Sequence, residues 1–168
     1  MTQRLFYIIF TAVLTFSSST ALFAEGASNF GLGVNYFTAI DDLSSDIDKD
    51  GFSYFISYQY RPGLIGFEAN FEVLPDIYNV DAITPSAYLI VGKTLYAAVG
   101  MGIMQYDGHW ANDPYYGLKL GLNLSLTESI ILDVFGKYQI SSKVDIDNAI
   151  DNIDTDTIYL GGAVRFRF

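Results

Sequence analysis

The chain has 168 residues, of which 51% are hydrophobic, 16% aromatic and only 17% charged, with a net charge of −10 and no cysteine. This length suits one domain, and the absence of cysteine removes disulfides, thiolate metal sites and cysteine nucleophiles. The acidic balance argues against nucleic acid as a partner, because its phosphates are held by Lys and Arg.

The N-terminus reads as an export signal. Arg4 supplies a positive start, Leu5 to Phe16 is an apolar run too short for a transmembrane helix, and small residues follow. Cleavage fits after Ala24, or after Ala21 with Ser19 at the −3 position; the alternative is a retained N-terminal anchor. The expected division is therefore a signal peptide over 1–24 and one domain over 25–168. Nothing beyond the signal reaches the eighteen or so consecutive apolar residues of a helical span. An exported chain this apolar, with 13 Tyr and 13 Phe against one Trp, fits the other structure that satisfies every backbone group in lipid, a closed β-barrel.

Alternation with period two marks eight strands in order. Phe30, Leu32, Val34 and Tyr36 alternate with Gly31, Gly33 and Asn35. Phe52 to Tyr60 alternates with Ser53, Phe55, Ser57 and Gln59. Ile65, Phe67, Ala69, Phe71 and Val73 alternate with Gly66, Glu68, Asn70 and Glu72. A weaker fourth run lies near 84–92, where Pro85 limits the start because it cannot donate to a ladder. Leu95 to Ile103 forms the fifth. Tyr116, Leu118, Leu120, Leu122 and Leu124 against Gly117, Lys119, Gly121 and Asn123 form the sixth and cleanest. Ile130, Leu132, Val134 and Tyr138 against Asp133, Phe135, Lys137 and Gln139 form the seventh. Ile158, Leu160, Val164, Phe166 and Phe168 against Tyr159, Gly161, Ala163, Arg165 and Arg167 form the eighth.

The connections alternate as well. Turns at 61–63, 92–94 and 127–128 are tight, and loops at about 40–51, 74–83, 106–114 and 141–157 are long and polar. That is the pattern of outer-membrane barrels, with turns periplasmic and loops outside. The non-apolar set is rich in Gly, Ser, Asn and Ala. It lacks the dense Lys and Glu of a soluble surface but suits a narrow lumen, in which glycines make room for interleaved rings. The predicted fold is all-β: an eight-stranded antiparallel up-and-down transmembrane barrel in a bacterial outer membrane. The closing run IYLGGAVRFRF, with Val164, Phe166 and Phe168 at alternate positions to the terminus, resembles the C-terminal signal of bacterial outer-membrane proteins. In length and connectivity the chain resembles the small OmpA/OmpX-type barrels. The resemblance implies recognition of that terminal signal by the barrel-assembly machinery.

The inward set carries three acids and four bases: Glu68, Glu72, Asp133, Lys119, Lys137, Arg165 and Arg167. Their heights above the turns predict that Asp133 pairs with Arg165 or Arg167 and Glu68 with Lys119, because buried charges must be paired. Such a filled lumen implies a monomeric structural or surface-interaction barrel rather than the alternative, a small ion-conducting pore. Of the 19 acidic residues, 14 fall in the four loops. Asp46, Asp48 and Asp50 precede Gly51 with calcium-loop spacing, but Ser57 stands where the closing bidentate Glu belongs. No cofactor is expected beyond weak Ca2+ or Mg2+ binding there, through which the loops would meet lipopolysaccharide phosphates and outer-membrane lipids. A further alternative, a lipid A-modifying enzyme, needs a base beside a nucleophile. The one histidine, His109, has Ser44, Ser45, Ser141 and Ser142 only on its own rim. Tyr36, Tyr54, Tyr106, Trp110, Tyr115 and Tyr116 toward the loops, with Tyr60, Phe166 and Phe168 toward the turns, are expected as interfacial girdles.

Overall fold

The computed structural model describes residues 28–40, 50–77, 80–106, 108–140 and 156–168. The expected signal peptide, most of the first and fourth loops, and Asp107 lie outside the described residues, as do the side chains of Asp76 and its neighbours to residue 80. The strands are β1 (Ser28–Ala39), β2 (Asp50–Tyr60), β3 (Ile65–Ile77), β4 (Val80–Gly92), β5 (Leu95–Gly102), β6 (Gln105–Tyr106), β7 (His109–Trp110), β8 (Tyr115–Ser125), β9 (Ile130–Ile140) and β10 (Thr157–Arg167). Eight of them close an antiparallel barrel in up-and-down order, and the first and last strands pair from Asn29↔Arg167 to Ala39↔Thr157. β6 and β7 are a short hairpin added above β4.

The alternation predicts the pleat. On β8, Tyr116, Leu118, Leu120, Leu122 and Leu124 point outward, while Gly117, Lys119, Gly121 and Asn123 face in. Leu120 is 67% exposed and Leu160 66%, and the same band of open Leu, Val, Ile and Phe runs around the wall. A wall this apolar has its counterpart in lipid, not water. Inside, buried Ser, Asn, Gln, Lys, Arg, Asp and Glu fill the barrel. It is the reverse of a soluble core.

The structure corrects three boundaries. The expected loop at 74–83 is mostly strand: β3 runs to Ile77 and β4 starts at Val80, with a register shift between Leu74 and Ile77. The shift breaks the period-two signal, and the polar Asp76, Asn79 and Asp81 make the stretch look like a loop. β4 also passes through Pro85, which the expected start at 84 treated as a limit. Pro85 pairs with Phe71 on β3, while its carbonyl accepts from Ile103 N at 3.2 Å on the other side. The ring nitrogen faces the same side, so the return bond of that pair cannot form, and the ladder is interrupted there, between Gly102 and Gln105. Third, the loop at 106–114 holds the β6–β7 hairpin, turning at Gly108 with φ 84°.

Two girdle expectations also change. Tyr115 is buried, facing inward, and Tyr106 packs against an apolar cluster at the loop end of the lumen. Tyr36 does sit on the outer wall with Phe52, their rings 5.5 Å apart, and donates to Asp50 Oδ2 at 3.0 Å.

Candidate functional site

The lumen is stacked in layers. In the layer nearer the turns, β10 brings Arg165 and β9 brings Asp133, each with no exposed surface. Arg165 Nε and Nη2 donate to Asp133 Oδ2 at 2.8 and 2.7 Å, and Nη1 donates to Ser57 Oγ at 2.8 Å. Nη2 also lies 3.5 Å from Glu68 Oε1. Glu68, from β3, accepts from Lys119 Nζ at 3.1 Å and from Gln59 Nε2 at 2.8 Å. Tyr96 OH donates to Asp133 at 2.9 Å. Arg suits this position because its planar fork reaches two carboxylates and a hydroxyl at once.

The layer above is built the same way around one acid. Glu72 accepts from Lys137 Nζ at 2.8 Å, from Asn35 Nδ2 at 2.7 Å and from Ser53 Oγ. Lys137 also lies 3.6 Å from the centroid of the Tyr159 ring, and Lys119 lies 3.9 Å from that of Phe135. Ring faces and methylene stems thus fill the space that would otherwise admit water beside these cations. Phe55 and Phe135 meet edge to face at 5.8 Å. Above them Phe37, Leu74, Ala82, Met104 and Tyr159 form an apolar cap, with Tyr106 and Ala111 packed on it. The projecting β3–β4 hairpin, absent from the predicted elements, contributes Leu74 and Ala82 to that cap.

Below the lower layer Arg61 closes the turn end. Its Nη2 donates to the carbonyls of Gly92 and Lys93 at 2.6 and 3.0 Å, and the guanidinium carbon lies 5.3 Å from the centroid of the Tyr96 ring. Gly92 has φ 121°, a conformation L side chains rarely adopt, and this directs the β4–β5 turn so that its carbonyls reach Arg61.

Of the predicted lumen charges, the structure brings together Glu68, Glu72, Lys119, Asp133, Lys137 and Arg165, three acids against three bases. Arg167 stands apart. It is half-buried at the turn-side mouth, lining a concavity with Arg61 and Lys93, because it lies one inward step past Arg165 where the barrel already ends. The terminal signal residues Val164, Phe166 and Phe168 face outward and are exposed; Phe168 N still donates to Ser28 O at 3.0 Å.

Of the calcium-loop residues, Asp46 and Asp48 lie outside the described residues. Asp50 begins β2, and Ser57 is in the lumen under Arg165, so it cannot close a cation loop. Among the described residues no three His, Asp or Glu converge as a metal site. His109 is exposed on β7, and Ser44, Ser45, Ser141 and Ser142 lie outside the described residues. Sequence reasoning missed Arg61, whose place in a turn hides its inward reach, and Tyr96 and Gln59, which have the inward parity but no charge to single them out.

No protein-family model matches the chain, and no curated protein matches it in sequence. Solved structures do. Neisserial surface protein A, NspA, is similar with a TM-score of 0.65 at 19% identity, over 84% of this chain and 97% of that one. Ail, the attachment invasion locus protein of Yersinia pestis, in complex with the heparin analogue sucrose octasulfate, gives 0.51 at 17% identity, over 86% and 100%. The outer membrane protein AlkL in DMPC bilayers gives 0.50 at 14% identity, over 86% and 92%. The fold is that of the small eight-stranded outer-membrane barrels, and its apolar outer wall fits it to a lipid bilayer.

Proposed function

We propose that this outer-membrane barrel is a closed, non-conducting scaffold that serves as a surface-interaction protein through its acidic loops. One observation carries the reading: six ionised side chains bridge the lumen in balanced pairs, between an apolar cap above and Arg61 below. An ion path needs polar groups that water and ions can reach, and here each charge is taken up by protein partners. Protein purified from membranes and added to planar bilayers should give no steady single-channel conductance. Reproducible unitary steps from the pure protein would instead establish a pore.

The sign of the loop surface selects its partners. Ail was solved with a polysulfated sugar, but a rim holding 14 of the chain's 19 acidic residues repels a polyanion. We therefore assign this chain cationic partners: hard divalent ions held weakly among the loop carboxylates, and through them the phosphates of lipopolysaccharide. Calorimetric titration of the purified barrel with calcium should show weak, saturable heat that 1 M salt suppresses, given a Debye length of about 3 Å there. A flat titration at millimolar calcium would rule the idea out.

A further inference from the structure

The turn-side mouth is the opposite of the loop rim in charge. A concavity of about 250 Å³ opens there, and Arg61, Lys93 and Arg167 all line it with Asn29, Asn123 and Ser125. These three are the only Lys or Arg at this end among the described residues, one from each of two turns and one from the last strand. No carboxylate side chain lines the cavity. The one acidic side chain at this end among the described residues is Glu128, exposed in the β8–β9 turn.

The cavity wall is held in place. Arg61 is fixed by the Gly92 and Lys93 carbonyls and the Tyr96 ring. The turn carrying Lys93 is tied to β8, since Asn123 N donates to Thr94 O at 2.7 Å and Asn123 Nδ2 to Lys93 O at 3.2 Å. That leaves Asn123 Oδ1, on a side chain only 9% exposed, buried without a hydrogen-bond partner. Three cations line one polar hollow that no carboxylate side chain lines, so an entering anion relieves their mutual repulsion. A phosphate group supplies several negative oxygens for these cations, in a geometry that guanidinium groups bind through paired hydrogen bonds.

We infer that the turn-side mouth is a binding site for a phosphate-class oxyanion on the periplasmic face, present either as a free phosphate or as the headgroup of an inner-leaflet phospholipid. The site lies below the closed lumen, so it stands whether or not the barrel conducts.

The test uses the intact barrel purified from membranes and held in a sugar detergent, which carries no phosphate, titrated with inorganic phosphate by phosphorus NMR and calorimetry. Saturable binding is expected, weakened about tenfold by Lys93→Ala or Arg167→Ala, as for loss of one charge-assisted hydrogen bond, and abolished by the double variant. Both side chains are outside the buried network, so heat-modifiable migration on gels should stay unchanged and report an intact fold. Repeating the titration in nanodiscs containing an anionic phospholipid separates the sources. Unchanged binding there identifies the free ion, whereas binding blocked there and restored on return to the sugar detergent identifies the headgroup. Absence of saturable binding in the sugar detergent, or binding that the double variant leaves intact, would overturn the site.

Discussion

Arg165→Met is expected to destabilise the barrel by about 3–5 kcal/mol, the range for removing one partner of a buried ion pair. The loss falls unevenly on the groups Arg165 touches. Glu68 keeps Lys119 at 3.1 Å and Gln59 at 2.8 Å. Asp133 keeps only the Tyr96 hydroxyl at 2.9 Å, so a carboxylate with no exposed surface is left without a cation. Arg165→Lys should recover only part of the loss, because one ammonium cannot reproduce the paired bonds to Asp133 at 2.7 and 2.8 Å together with the bond to Ser57. The double variant Asp133→Leu/Arg165→Met should be markedly more stable than Arg165→Met alone, since it removes the orphan charge as well. Urea-dependent folding into lipid vesicles, followed by gel mobility and by fluorescence of the sole Trp110, measures all three. If Arg165→Met and the double variant proved equally unstable, the pairing would not be the source of the effect, and packing of the Arg stem would be.

That expectation also shows how far the site could be read from the residues. Period-two alternation assigns Asp133 and Arg165 to the inward face, and counting from the Thr127–Glu128 turn and from the terminus puts them near one height. The observed register sets Asp133 against Ala163 and Arg165 against Ile131, close enough for a long Arg side chain to reach. Glu68 and Lys119 are legible as inward charges of opposite sign, although their strands are not paired and only barrel closure brings them within 3.1 Å. Arg167 has the same parity as Arg165, but alternation carries no information about where the lumen stops. Arg61 escapes for a related reason: in a turn no face is defined, and its reach under the barrel depends on the carbonyls of a different turn.

The fold was legible wherever one face meets lipid, because there the outward residues must all be apolar. It was not legible in the β3–β4 hairpin, where the chain continues as strand past Leu74. Polar residues are tolerated there, so a loop and a strand have the same composition. The apolar cap depended on that hairpin, so the closure of the lumen at the loop end was invisible even though its ionic middle was predicted.

The rings inside the barrel lead to the other large effect. Gly33→Val should cost at least the roughly 1–3 kcal/mol of an overpacked core, because neither obstacle it meets can retreat. A Cβ on Gly33 would lie 2.3 Å from Phe55 Cζ and 2.5 Å from the backbone oxygen of Gly162. The phenyl ring is itself held, since Phe55 is buried and packs edge to face on Phe135. The oxygen belongs to β10, the strand that closes the barrel against β1. Gly33 therefore matters for the space it leaves, a floor beneath Phe55 where the sheet curls tightly, and not for an unusual backbone angle. Gly136→Ala is the control. It too is a strand glycine, but its added Cβ would find nothing nearer than Tyr159 O at 3.9 Å, and a tolerated Gly→Ala change typically stabilises by about 0.4–1 kcal/mol through the unfolded chain. The same vesicle-folding titration should move in opposite directions for the two variants. Phe55→Leu combined with Gly33→Val should restore part of the loss, because a smaller side chain then shares the site with the valine. If Gly33→Val folded as readily as Gly136→Ala, the lumen would have to be looser than these contacts require, and the case for a sealed interior would weaken with it.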